Sequence, residues 1–264
     1  MIPRAYITAW RAHAPWVNDS QVEQDLILSR SLIELFSHPL IAENLILRGG
    51  TAQHKLYITP ALRYSEDIDL VQKAAGPIGN IINVMRDKLG SWLGEPQRSQ
   101  SQGRVTLVYR FTSSIPPITK LRLKLEINTR EHFSVLGLER KFFKVDNPWF
   151  QSGADVVTYQ MDELIATKLR ALYQRKKGRD LFDLWIAVQH NLVNPVRVVE
   201  CFGKYMEAEG HQISKSDFEA NLSNKLKDLG FMEDIHPLLA SDISYDAQQA
   251  GAMIHELFLP HLPK

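Results

Sequence analysis

The sequence predicts an α+β protein, in which a small mixed sheet with its helices is followed by a helical region. Two observations indicate this fold class. Between residues 44 and 128, short apolar or alternating segments of strand length are interrupted by helical segments and by glycine or proline. From about residue 158, apolar residues recur at helical spacing instead. We therefore predict an α/β domain over residues 1–155 and a helical domain over residues 156–264.

The first elements follow from capping signals and periodicity. The segment DSQVEQDLILSRSLIELFSHP predicts a helix, because Ser20 and Glu23 fit a capping box and its apolar residues share one face. Pro39 marks the predicted end of this helix. Residues 44–48 predict a short apolar strand that breaks at Gly49-Gly50.

The later elements alternate between strand and helix patterns. A helix is predicted from Thr51, a strand over residues 65–71 and a further helix after Gly76-Pro77. Residues 94–104 predict a polar loop, and residues 104–111 and 120–128 predict strands because their side chains alternate. Helices are predicted over residues 161–175, 179–190 and 194–210.

Composition narrows the class of protein. The chain has 264 residues, 44% apolar and 23% charged, with a formal net charge of +1. These values are typical of a globular protein and give no global basic field for nucleic acid. Cys201 is the single cysteine, which excludes an internal disulfide framework and favours a cytoplasmic protein. No apolar run is long enough to predict a membrane span.

Carboxylates mark the first candidate site. Asp67 and Asp69 alternate with the apolar Ile68 and Leu70 on a predicted strand, so both aspartates face the same side. Two like charges at this spacing favour a hard cation such as Mg²⁺ between them. Glu126 offers a third carboxylate from another strand, and two ions held there could activate an attacking oxygen. The alternative is the solvated face of an amphipathic strand.

The residues before these carboxylates indicate a phosphate site. A strand that ends in Gly49-Gly50 and opens a helix presents free backbone N–H groups to an anion. Thr51 could donate its hydroxyl, and Ser65 lies on the face of Asp67, within reach of the same phosphates. The alternative is an ordinary turn between strand and helix.

Basic residues of the helical region form the third pattern. Lys168 could reach the phosphates of a bound nucleotide as a point charge, or it could be a solvated helix residue. A basic cluster suits phosphates or an RNA backbone, although basic residues are also favoured at the end of a helix. Its members are Arg175, Lys176, Lys177 and Arg179.

Together these segments resemble a known family. The residues GGT…RYSEDIDL resemble the first motif of the polymerase-β-like nucleotidyltransferase superfamily, and their spacing is that of its AbiEii/AbiGii branch. That branch comprises toxins of abortive-infection toxin–antitoxin systems, including the MenT-type tRNA nucleotidyltransferases. KLEIN (124–128) resembles the second motif, and LIATKLRALYQRKKGRDLFDLW (164–185) resembles the third and fourth. Residues 191–264 match no motif.

The resemblance implies an N-terminal polymerase-β-like nucleotidyltransferase domain and a helical domain that contributes Lys168 and Asp183 to the cleft. It implies that Lys168 contacts the triphosphate and that the segment with Asp180 and Asp183 lines the active site. Of the two aspartates, we choose Asp183 as the functional acid, which orients Lys168 or the acceptor hydroxyl, and Asp180 as a structural partner of Arg179 or Arg175. The expected reaction transfers a nucleoside monophosphate from an NTP, with Mg²⁺, to an RNA acceptor. The resemblance implies that the acceptor is the tRNA 3′ end, that translation is blocked, and that an AbiEi-like antitoxin is the partner.

Two alternatives stay open. The acceptor hydroxyl could belong to a small molecule or a protein side chain, as in aminoglycoside nucleotidyltransferases and AMPylating relatives. A catalytically silent protein of the same fold could instead bind RNA or an antitoxin. Nucleotide binding without turnover would favour the silent protein.

Overall fold

The computed structural model describes residues 2–264. The chain forms two compact units: unit 1 runs to Phe133 and resumes over Leu138–Tyr159, and unit 2 comprises Ser134–Gly137 and Gln160–Lys264. No helix among residues 2–264 is long and apolar enough to span a membrane.

Unit 1 is built on a seven-stranded mixed sheet. Its spatial order is β3-β4-β5-β2-β1-β7-β6. The β1–β7 and β2–β5 pairs are parallel, and the other neighbouring pairs are antiparallel. A mixed α/β fold is therefore confirmed. The strands are β1 (Leu45–Arg48), β2 (Asp67–Gln72), β3 (Gln97–Ser101), β4 (Arg104–Thr112), β5 (Lys120–Asn128), β6 (Leu138–Asn147) and β7 (Phe150–Tyr159).

The helices of unit 1 bury one face of the sheet. The longest of them, α2, packs on β7 and β5, and its Leu26 and Ile33 have no exposed surface. Alternating residues of β5, Leu123, Leu125 and Ile127, complete the core beneath it. The helices are α1 (Arg4–Trp10), α2 (Asp19–Phe36), α3 (Pro39–Asn44), α4 (Gly49–Leu56) and α5 (Gly79–Leu93).

A buried carboxylate fixes the far end of α4. Asp25 of α2 accepts hydrogen bonds from the indole nitrogens of Trp10 and Trp16, at 2.8 and 3.2 Å. The Lys55 ammonium of α4 donates to the same carboxylate at 2.5 Å. Because both Asp25 and Lys55 are nearly inaccessible to solvent, this ion pair ties α4 to the core helix.

Two local predictions are wrong, each because a long-range contact overrides a local signal. The capping box does not form: α2 begins after Asn18, and the buried Glu23 carboxylate accepts from the backbone and hydroxyl of Ser114. The predicted end of α2 before Pro39 is confirmed, and Pro39 is in addition the first residue of α3. Residues 97–101, inside the predicted loop, pair with β4 as an exposed edge strand.

The hairpin of β6 and β7 was not predicted. Most of β6 is exposed on alternate residues and forms the other edge of the sheet, so its apolar pattern is weak. β7 is buried toward its end, where Thr158 pairs with Leu47 of β1. Strand structure in unit 1 therefore continues to Tyr159.

Unit 2 is helical. Its first helix, α6, carries Glu163, a fully buried carboxylate that accepts from the backbone of Val135 and Leu136 and from the Tyr205 hydroxyl, each at 2.8 Å. This carboxylate holds the segment Ser134–Gly137 within unit 2. The helices are α6 (Met161–Gln174), α7 (Gly178–Gln189), α8 (Pro195–Ala208), α9 (Lys215–Leu226), α10 (Leu229–Glu233) and α11 (Ala247–Leu257), with 3₁₀ turns at His236–Leu238 and Leu259–His261.

Candidate functional site

The diglycine bend joins β1 directly to α4. Gly49 has a φ of 78°, in the left-handed region that side chains other than glycine rarely adopt. A Cβ at Gly49 would also lie 2.4 Å from Oδ2 of Asp69, and one at Gly50 would lie 2.2 Å from the Arg63 guanidinium. Gly49 is therefore required by its backbone conformation and by the close approach of Asp69, which places the start of α4 against the Asp69 carboxylate, whereas a side chain at Gly50 would displace the Arg63 guanidinium.

Two hydroxyls hold the start of α4 to β2. Thr51 is fully buried, and its hydroxyl donates to the backbone carbonyl of Asp67 at 2.5 Å. The same hydroxyl lies 2.9 Å from that of Ser65. Ser65 and Thr51 thus lie together beside Asp67, but the Thr51 hydroxyl, which the sequence predicts as a phosphate donor, donates to a backbone acceptor instead. The N–H groups in the first turn of α4 are the remaining donors to an anion, because the first turn of a helix leaves them without intrahelical acceptors.

Asp67 and Asp69 project from one face of β2, while Ile68 and Leu70 between and beyond them are buried. In the register of the sheet, Asp69 pairs with Glu126 of β5. The three predicted carboxylates therefore lie on one face of two adjacent strands. Burial raises the pKa of the Asp67 carboxyl, and the nearby Asp69 and Glu66 carboxylates add to this rise, against the lowering effect of Lys124.

Lys124 supplies the positive charge between the carboxylates, and it was not among the predicted site residues. Its ammonium lies 3.0 Å from Oδ2 of Asp67 and 3.3 Å from Oε2 of Glu126. Burial by itself lowers the pKa of Lys124, but the surrounding carboxylates outweigh burial, so the pKa is raised. The signal was present in the sequence, because Lys124 alternates with Glu126 on the polar face of β5.

The carboxylates on this face of β2 and β5 are the candidate ligands of a metal ion. Among residues 2–264, no three His, Cys, Asp or Glu side chains converge as a ready-made metal site. Glu126 is engaged by Lys124 and by Arg104, whose Nε lies 3.2 Å away. Oδ1 of Asp67, however, is buried and has no hydrogen-bond partner in that part of the chain. A buried acceptor without a donor, beside a second carboxylate, fits a hard divalent cation, and this fit is strongest for Asp67 and Asp69.

In unit 2, Lys168 and Asp183 form a buried ion pair. The Lys168 ammonium lies 2.8 Å from Oδ2 of Asp183 and 3.5 Å from Oδ1 of Asp180. Both aspartates are fully buried. Arg175 donates from Nε and Nη2 to the two oxygens of Asp180, at 2.6 and 2.8 Å. The structure thus pairs Arg175 with Asp180 and Lys168 with Asp183.

Three side chains of the basic cluster that follows α6, those of Arg175, Lys176 and Lys177, pair with acidic neighbours within unit 2. Lys176 pairs with Asp228, and the Lys177 ammonium lies 3.4 Å from Oδ1 of Asp234. The backbone N–H of Arg179 donates to Asp234 at 3.3 Å. The charges of Arg175, Lys176 and Lys177 are therefore less available to an RNA backbone than the sequence predicts, whereas the bond from Arg179 comes from its backbone and leaves its guanidinium charge in place.

Comparison with known proteins identifies a family whose profile matches most of this chain. The profile of the family described as nucleotidyl transferase AbiEii toxin, type IV TA system, matches residues 30–251. A search of curated proteins finds no match.

Solved structures show a related fold. The nucleotidyltransferase toxin MenT4 from Mycobacterium tuberculosis H37Rv is similar with a TM-score of 0.57 and 18% identity, over 96% of this chain and 94% of that one. An antigenic nucleotidyltransferase-like protein from Paracoccidioides brasiliensis aligns with a TM-score of 0.40 and 15% identity, over 75% of this chain and 87% of that one. The first of these supports the fold.

Proposed function

The chain belongs to the AbiEii family of nucleotidyl transferase toxins of type IV toxin–antitoxin systems, and from this premise we propose the reaction and acceptor that its site serves. As a member, it is an NTP-dependent nucleotidyltransferase. The proposed acceptor is RNA, at the tRNA 3′ end, and the proposed effect is a block of translation in the cytoplasm. A cognate antitoxin is the proposed protein partner.

The orphaned oxygen of Asp67 carries this proposal. The Asp67 side chain lies on the face of β2 that also presents Asp69, and the Asp69 carboxylate lies directly beside the tight bend at Gly49. A structural ion pair would have satisfied both oxygens of Asp67, whereas Lys124 satisfies only one. Asp67 and Asp69 would hold Mg²⁺, with Glu126 as the third ligand of the proposed site. The ion would neutralise charge on the triphosphate and on the leaving group.

The remaining residues bind and orient the substrates. Backbone N–H groups of Gly49 and Gly50 would hold the phosphates at the start of α4, and Thr51 and Ser65 fix that start against β2. Lys168 is the proposed cation for the triphosphate, and its ion pair with Asp183 orients its ammonium.

In the proposed reaction the acceptor hydroxyl oxygen forms a bond to the α-phosphorus of the NTP. The bond to the β-phosphate oxygen breaks, and pyrophosphate and a proton are released to water. Positioning and charge neutralisation would provide most of the rate enhancement, since no covalent intermediate with the protein is needed.

The test uses Asp69→Asn, which keeps the shape of the side chain and removes its charge. Labelled NTPs are incubated with wild type or variant in separate pools of bulk tRNA, protein and aminoglycoside. We expect incorporation into tRNA by the wild type and a loss of at least about a hundredfold in the variant, as expected for a lost charge at the transition state. Asp87→Asn, at an exposed position of α5, is the matched control. Undiminished incorporation by Asp69→Asn would exclude the metal assignment, and incorporation into another pool would exclude the RNA acceptor.

A further inference from the structure

The face of the sheet that carries Asp67 and Asp69 continues onto β5 and β4. The register pairs Asp67 with Lys124, and Lys124 with Val108 of β4. The opposite face of these strands is buried in the core, through Leu125 of β5 and Leu107 of β4. The two strands therefore form a wing with one buried face and one exposed face that leads to the carboxylates.

Basic residues dominate the exposed face of this wing. The register pairs Arg110 directly with Arg122, and Lys120 lies two residues before Arg122 on the same face. Placing like charges opposite each other on a sheet destabilises the pair, so these residues are costly for folding alone. We call the exposed face with these charges the basic wing: Arg104, Arg110, Lys120 and Arg122.

The charges of the basic wing are accessible. The side chains of Arg104 and Arg122 are 59% and 58% exposed. Arg122 has a weak partner in Glu66, at 3.6 Å, and Arg110 donates only to the neutral Gln97. Lys120 is exposed at the start of β5. Exposed pairs of this kind contribute little energy, so an incoming anion can replace them.

The basic cluster of unit 2 differs from the basic wing in how many of its side chains have acidic partners. There Arg175 is held by both oxygens of the buried Asp180, and Lys176 and Lys177 each have an acidic partner. On the basic wing, two acidic partners, Glu126 and Glu66, face four basic side chains. Among residues 2–264 the wing therefore has more basic side chains than acidic partners, and it adjoins the strand that carries Asp67 and Asp69.

We propose that the basic wing binds the phosphate backbone of the RNA acceptor and directs its terminal hydroxyl to the carboxylates. The inference rests on the proposed transfer to RNA. RNA fits better than another polyanion, because one strand supplies both a row of phosphates for the wing and a hydroxyl at its end for the reaction. No aromatic side chain lies on this face of β4 or β5, so recognition is through phosphates rather than base stacking.

The test neutralises the three charges that lie farthest from the carboxylates. The triple variant Arg110→Gln, Lys120→Gln, Arg122→Gln is compared with the wild type and with a matched triple at exposed positions elsewhere, Lys88→Gln, Lys144→Gln, Lys204→Gln. For each full chain we measure the kcat and KM of nucleotide incorporation into bulk tRNA. Binding of the same tRNA without NTP is measured by fluorescence anisotropy across a salt series.

We expect the wing variant to raise the KM for tRNA by about tenfold, with kcat and the KM for NTP within about twofold of wild type, because phosphate contacts govern affinity. The slope of log affinity against log salt should fall by about 2, from three lost contacts at about 0.7 each for single strands. The control triple should match the wild type in every measurement.

The outcomes separate this inference from the proposed function. Equal tRNA binding and equal KM in the wing variant and the control would overturn the inference while leaving transfer to RNA intact. A wild type that incorporates nothing into tRNA, but whose tRNA binding depends on the wing, would overturn the proposed function alone. Binding of phosphatidylserine vesicles in place of tRNA would overturn the inference in favour of a membrane partner.

Discussion

Lys225 of α9 is predicted to make the stability of unit 2 depend on pH in a defined direction. The side chain is buried, and its ammonium donates to the carbonyls of Leu172 and Tyr173 in the last turn of α6, the latter at 2.8 Å. Burial lowers the pKa of Lys225 from 10.5 to about 8, although Asp180 partly opposes this effect. The difference corresponds to about 3 kcal/mol by which burial disfavours the charged form at neutral pH.

The difference in proton binding between the folded and unfolded chain sets the direction in which the free energy of unfolding changes with pH. Between pH 8 and 10.5 the unfolded chain keeps the Lys225 proton while the folded chain loses it, so this residue makes unfolding harder as pH rises. Its contribution should grow by about 2 kcal/mol between pH 7 and 9.5. The thiol of Cys201 works in the opposite direction, because burial raises its pKa to about 12. A comparison with Lys225→Met at each pH cancels the Cys201 effect.

The assay is urea unfolding followed by circular dichroism at several pH values from 7 to 9.5. The free energy of unfolding of the wild type, minus that of Lys225→Met, should rise by about 2 kcal/mol over this range. Lys215→Met, at a 40% exposed position of the same helix, should stay parallel to the wild type. Parallel profiles for the wild type and Lys225→Met would refute the reasoning.

Three further changes test the site and its support. Gly49→Ala should reduce Mg²⁺-dependent nucleotide incorporation at least about tenfold. The control Gly94→Ala introduces a similar backbone strain of about 1–3 kcal/mol, because Gly94 has the same positive φ, but it has no neighbour within 4 Å and should keep full activity. Equal activities of the two variants would refute the close-approach argument. Lys124→Gln removes a cation that competes with Mg²⁺, so the Mg²⁺ concentration that gives half of the maximal rise in melting temperature should be lower than for the wild type. An unchanged Mg²⁺ titration would count against this competition. Glu163→Gln should cost about 2 kcal/mol, seen as a lower melting temperature, because several donors lose a charged acceptor; an unaltered melting temperature would contradict this.

The sequence determined the elements whose signal is local. The strand of β5 is found at the predicted residues 120–128, because its alternation directly reflects one buried and one exposed face. The facing of Asp67 and Asp69 is likewise confirmed, since the period of a strand fixes it. The motifs also sufficed to identify the family, which the match over residues 30–251 confirms.

Other local signals failed where long-range partners compete with them. Glu23 accepts hydrogen bonds from Ser114, far along the chain, instead of capping α2, because a buried carboxylate needs donors that a helix end does not offer. The side chains of β3 are all exposed, so its sequence has no alternating pattern that would predict a strand. It pairs with β4 through backbone groups, which side-chain patterns do not report.

By itself, then, the sequence determined the chemical types at the site: paired aspartates, a diglycine bend, and a lysine with an aspartate on helices. Only the tertiary structure decided which charges compensate which. It placed Lys124 between Asp67 and Glu126, and Asp180 against Arg175, while it left the basic wing with few acidic partners. The physical reason is that electrostatic energy depends on distance and burial in three dimensions, whereas a sequence records only the order of the charges.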